Sequence, residues 1–125
     1  ECTNMMQMFS RCWSLTTLDL SNFDTSNVID MSGMFCESEN LISINVSKFD
    51  TSKVTRMGFM FSHCGSLSSL DMTNFDISDE TDMSYIFDSC SLPSKSVKVS
   101  QSTYNKLIKV QDIGIDMGIF DIVNK

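Results

Sequence analysis

No alanine occurs among the 125 residues, which argues against long helices; serine and threonine are abundant instead. No apolar run of membrane-spanning length is present, and no signal peptide, so no direct membrane insertion is expected of this chain. Basic residues are few, 9 Lys+Arg against 16 Asp+Glu, a formal charge of −7. So acidic a chain does not neutralise phosphates, which excludes nucleic acid as an expected partner. There is one histidine, His63, and the five cysteines (Cys2, Cys12, Cys36, Cys64 and Cys90) include no C-x-x-C, so a zinc site is not expected. The metalloprotease H-E-x-x-H, a glycine-rich phosphate loop and a nucleophile elbow are also missing. Trp13 and His63 have no catalytic partner in sequence, and isolated Ser, Asp and His do not make a triad. No enzyme, catalytic residue, metal or cofactor is expected.

What is present is repetition. "LTTLDLSNFDTSNVIDMSGMF" (15–35) returns as "LISINVSKFDTSKVTRMGFMF" (41–61) and "LSSLDMTNFDISDETDMSYIF" (67–87). Phe9, Phe35, Phe61 and Phe87 are spaced 35−9, 61−35 and 87−61, each 26. Leu15, Leu41 and Leu67 keep the same step, as do Leu20, Val46 and Met72, and Met5, Met31, Met57 and Met83. A constant interval of this size predicts a solenoid. The hydrophobic fraction, 42%, is that of an ordinary globular domain rather than a disordered chain.

Each unit divides into two halves. In the first, Leu18 and Leu20 alternate around Asp19, which predicts a strand over 16–21. In the second, Val28, Met31, Met34 and Phe35 share one helical stripe, which predicts a short helix with Asp24, Thr25 or Ser26 at its start. One unit cannot bury its apolar side alone; stacked neighbours can, with strands about 4.8 Å apart in a parallel sheet.

After Cys90 the pattern breaks. Residues 91–100 suggest a fourth strand with Val97 and Val99 inward, 100–110 a helix capped by Ser100 or Ser102, and 112–123 a last strand or hairpin. The expected organisation is a repeat segment, 1–90, and an atypical capping segment of the same domain, 91–125. The first unit starts partway through, which predicts a piece of a longer chain with further repeats stacked at its N-terminal end.

Met8, Phe9, Cys12, Leu15, Leu18 to Ser26, Val28, Asp30, Met31, Met34 and Phe35 carry a string that resembles the BspA-type leucine-rich repeats of bacterial surface proteins and lipoproteins. The likeness covers roughly residues 1–90. Ser38 departs from it where a cysteine is expected, as do Glu80 in the column of Val28 and Val54, and Ile86 in a methionine column. The resemblance implies an α/β, leucine-rich-repeat-like solenoid: a parallel β-sheet on one face, short helices on the other, and an atypical C-terminal cap. It also implies a cell-surface or secreted protein used in adhesion, and supplies no catalytic residue.

Several columns admit chemical readings. Cys12, Cys64 and Cys90 suit disulfides or a metal, but small buried thiols are the stronger expectation. The methionine columns suit Cu(I), yet they fall on the apolar stripe and are assigned to the core. Asp24, Asp50 and Asp76 suit a cation, and better suit turns and caps. Thr17, Asp19, Ser43, Asn45, Ser69 and Asp71 form polar ladders on the outward sheet face. That face is either simply solvated or the extended binding surface such arrays present. These six residues are the candidate site for a protein or glycan partner; the alternative is a structural spacer or assembly subunit.

Overall fold

The computed structural model describes residues 2–110 and 112–123. Glu1, at the start of the expected 1–90 segment, and Gln111, Asn124 and Lys125, within the expected 91–125 segment, lie outside the described residues. In chain order the elements are β1 (Thr17–Asp19), β2 (Ser43–Asn45), β3 (Leu70–Met72), β4 (Val97–Ser100), α1 (Gln101–Leu107), a 3-10 turn at Met117–Ile119, and β5 (Phe120–Val123).

The expected leucine-rich-repeat-like solenoid, one parallel sheet backed by a row of short helices, is corrected by this arrangement. The described residues form a small mixed domain with two small parallel sheets, β1–β2 and β3–β4–β5, and a single α-helix. No helix forms where Val28, Met31, Met34 and Phe35 predicted one; that stretch is a run of turns.

The hydrogen bonds give the physical reason. Met31, Gly33, Phe35 and Glu37 donate their N–H groups not within a helix but 25 residues onward, to Arg56, Gly58, Met60 and Ser62 carbonyls (2.8–2.9 Å). The alternate N–H groups close tight turns, Met34 to Met31 O, Cys36 to Gly33 O and Ser38 to Phe35 O. Gly33 and Glu37 take positive φ, as do Gln7 and Arg11, Phe59 and His63, and Tyr85 and Ser89 at the same 26-residue step. A left-handed residue stops helix propagation and turns the next peptide out of the helix axis. The four apolar groups are still buried, so the stripe is satisfied without the helix.

The core is built from these steps. Phe9, Phe35, Phe61 and Phe87 stack in one file, with centroids 5.4–5.9 Å apart and planes within 7–9°. Phe120 closes the file edge-on against Phe87 at 5.8 Å. A second file pairs Phe49 with Phe75. Thr25 and Thr51 are buried, and each hydroxyl donates to the Asp50 or Asp76 carbonyl and accepts the N–H of the same residue. Ile77 stands next in that column and has no hydroxyl; one step further on, the Thr103 hydroxyl of α1 donates back to the Phe75 carbonyl (3.3 Å).

In the C-terminal part, Val97 and Val99 of β4 point inward and are fully buried. Ser100 caps α1, its hydroxyl accepting the Thr103 N–H at 3.1 Å. Leu107 is buried, while Ile108 is exposed. Residues 112–123 hold one strand, β5, which runs parallel to β4 rather than in a hairpin.

Candidate functional site

All six candidate residues, Thr17, Asp19, Ser43, Asn45, Ser69 and Asp71, are solvent exposed. Strand alternation places them there: Leu20, Ile44, Leu70 and Met72 take the inward positions. Thr17 faces Ser43 and Asp19 faces Asn45 in the β1–β2 register. Ser69 lies just before β3, and Asp71 belongs to the other sheet. The six therefore span two sheets and not one.

Asp19 and Asn45 are joined, Asn45 Nδ2 donating to Asp19 Oδ1 at 3.2 Å. Each polar tip is also held by its own following turn. Asp19 accepts the Ser21 N–H (3.0 Å), Asn45 the Ser47 N–H (3.1 Å) and hydroxyl (2.7 Å), and Asp71 the Thr73 N–H (3.0 Å). Such Asx turns fix the side chain before any partner arrives. The Ser21 N–H, then its hydroxyl, holds the Asp19 carboxyl below the ordinary range.

The register carries the row further than the repeat does. Asp71 pairs with Lys98, and Lys98 with Asp121. The outward positions are thus Asp19 and Asn45 on one sheet and Asp71, Lys98 and Asp121 on the other: three acids, one amide and one cation. Sequence reasoning stopped at Asp71. The signal for Lys98 was its place between the inward Val97 and Val99.

The other columns are occupied locally. Asp24 and Asp50 accept the N–H and hydroxyl of Ser26 and Ser52 (3.0 and 2.6 Å in both), bonds that keep both carboxyls low. With no helix following them they are turn formers, not caps. Met31, Met34, Met57 and Met60 are sealed in the core. All five cysteines are free thiols. Cys64 Sγ donates to the Phe35 carbonyl (3.1 Å) and Cys90 Sγ to the Phe61 carbonyl (2.8 Å). Ser38, in the same column, makes the equivalent bond to Phe9 O at 2.6 Å, which explains how serine replaces cysteine there. Burial pushes the Cys64 thiol well up, and that of Cys90 to about 11. Among the described residues, no group of three or more His, Cys, Asp or Glu is placed to hold a metal ion.

Two features escaped the sequence reading. Phe59 and Tyr85 stack on the outside, centroids 5.1 Å apart and planes 21° apart, although 47% and 40% exposed. Their spacing, 85−59 = 26, was the available signal. The second feature is a polar cavity of about 250 Å³ between residues 78–84 and 106–110. No sequence pattern marks it, because it depends on how α1 packs.

The molecule is thus a repeat protein whose 26-residue step is written in core files and surface rows alike. The chain belongs to the family described as "Mycoplasma protein of unknown function, DUF285", whose model matches residues 3–113. No curated protein and no solved structure matches it. Among the described residues, no helix is long and apolar enough to cross a membrane.

Proposed function

We propose that this chain is a non-enzymatic recognition module of the BspA type, surface-exposed or secreted, that engages a protein or glycan through the outward face of β1, β2 and β3. The observation that carries the reading is the turn-fixed row of Asp19, Asn45 and Asp71, exposed and set in place by hydrogen bonds. Side chains ordered in advance lose less entropy on binding.

The test is adhesion of the chain to immobilised matrix proteins and glycans, with Asp19→Arg, Asn45→Arg and Asp71→Arg introduced together. Binding should fall about tenfold or more, as reversal of charge across an interface does, while the circular dichroism spectrum stays native. Undiminished adhesion by a folded triple variant would overturn the reading in favour of a spacer or assembly subunit.

A further inference from the structure

The unit that ends in β1 differs from the later ones in how far its core columns are covered. Met8 is 45% exposed, whereas Met34, Met60 and Ile86 in its column are fully buried. Phe23 is 36% exposed, against 3% and 5% for Phe49 and Phe75. Phe9, Leu15 and Leu18 are half-buried, while Phe35, Leu41 and Ile44, one step on, are buried. Each of the five stands one step ahead of a buried column mate, so together they form an apolar end of the stack, bordered by β1.

The backbone shows what fits this end, because every contact between units uses the same bonds. The Met5, Gln7, Phe9 and Arg11 N–H groups donate onward to the Asp30, Ser32, Met34 and Cys36 carbonyls (2.8–3.0 Å), as Met31 to Glu37 do one unit later. The Ile29 and Ile42 N–H groups donate back to the Thr3 and Thr16 carbonyls (2.8 and 2.7 Å). The Thr25 and Thr51 hydroxyls close on the backbone of Asp50 and Asp76. At the apolar end the matching groups are the Asn4, Met6, Met8 and Ser10 carbonyls, the Thr3 and Thr16 N–H groups, and the N–H and carbonyl of Asp24. Among the described residues, no group of another unit bonds to any of them. Cys12 shows the same difference. Cys64 and Cys90 reach carbonyls one unit back, but Cys12 Sγ turns to Ser10 O of its own unit, 4.0 Å away.

This set of groups fits the onward side of a like unit: four N–H donors against four carbonyls, two carbonyls against two N–H groups, a threonine on Asp24 and a phenylalanine on Phe9. A second copy brought up by its own apolar end offers another row of carbonyls in place of the donors, and buried carbonyls left without donors are costly. The opposite end of the stack carries α1 and β5, which break the period. Every contact of this kind in the molecule joins units of one polypeptide. We infer that this end is a docking face for a further 26-residue unit, N-terminal to these in the same polypeptide, that continues the phenylalanine file and the inter-unit bonds. It is separate from the sheet face proposed above.

The test places a copy of residues 27–52, one whole unit in register, ahead of the full chain. A scrambled prefix of the same composition is the control, and sedimentation of the parent chain over a range of concentrations tests for a second copy. In the copied unit the amides of Met31, Gly33, Phe35 and Glu37 should exchange with deuterium at least about tenfold more slowly than the amides of the scrambled prefix. Peroxide should oxidise Met8 about fivefold or more slowly in the extended chain than in the parent, because oxidation follows exposure, and the scrambled prefix should leave that rate unchanged. The inference is overturned if the copied amides exchange as fast as the scrambled ones, if Met8 is oxidised at the parent's rate, or if the parent dimerises and shields Met8 without a prefix. Neither readout measures adhesion through the sheet face, so the two readings fail separately.

Discussion

From Met31 to Glu37 every second N–H leaves its own unit for a carbonyl 25 residues on, whereas from Gln101 to Leu107 the chain closes on itself as a helix. Both stretches bury an apolar stripe, Met31, Met34 and Phe35 in one, Leu107 with the half-buried Tyr104 in the other. Spacing of apolar residues therefore says which side of a segment is covered, and not where its backbone bonds go. Where a following unit offers a row of carbonyls, left-handed residues such as Gly33 and Glu37 aim the N–H groups across. In α1 the capping serine and the helix satisfy them locally.

The largest expected effect lies in the shared interior of the stacked units. Phe61→Ala removes ring contacts to both Phe35 and Phe87 and should cost about 3–5 kcal/mol in denaturant unfolding. A loss within about 0.5 kcal/mol, the usual surface value, would show that the file does not hold the units together.

Next come two hydroxyls that sharpen the contrast. The buried Ser38 Oγ donates to Phe9 O and accepts the Cys12 N–H, bridging two units. Ser38→Ala should cost about 1–3 kcal/mol, and Ser38→Cys should recover part of it, as Cys64 and Cys90 make the same bond. Ser100→Ala, which removes only the cap of α1, should cost about 1 kcal/mol. An equal cost at both sites would mean that bonding between units carries no more weight than a local cap.

The smallest effect is on pH dependence, again concentrated before residue 91. Asp19, Asp24, Asp50 and Asp82 have lowered folded values, so their contribution is present above the ordinary carboxylate range and is lost as pH falls through the folded values. Cys64 and Cys90 have raised values, so the unfolded thiols ionise first and stability falls above about pH 8.5. Thermal midpoints should therefore form a plateau between about pH 5 and 8 and decline on both sides. A midpoint still rising at pH 9 would remove the buried thiols from the account.

The legible parts of the sequence were those in which side chains repeat. The phenylalanine file, the inward Val97 and Val99 and the exposure of the six polar residues all follow from a constant step or strict alternation, while residue type left the cap of α1 between Ser100 and Ser102, of which Ser100 holds it. The second half of each unit was misread as a helix because Val28, Met31, Met34 and Phe35 satisfy helix and turns equally well. Only the left-handed positions separate the two, and glycine marks just one of the eight columned sites in the units, Gly33. The joining of Asp71 to Lys98 and Asp121 and the cavity beside α1 depend on a segment outside the period, where no earlier unit offers a template.

The alternation of N–H direction also constrains how such a chain changes length. Inserting or deleting one residue between Met31 and Glu37 would exchange outward donors for inward ones along the rest of that unit and leave the facing carbonyls beyond the change, that of Ser62 among them, without partners. Duplicating or removing 26 residues at once keeps every donor opposite an acceptor. Growth and shrinkage of this gene by whole units is the route the backbone tolerates.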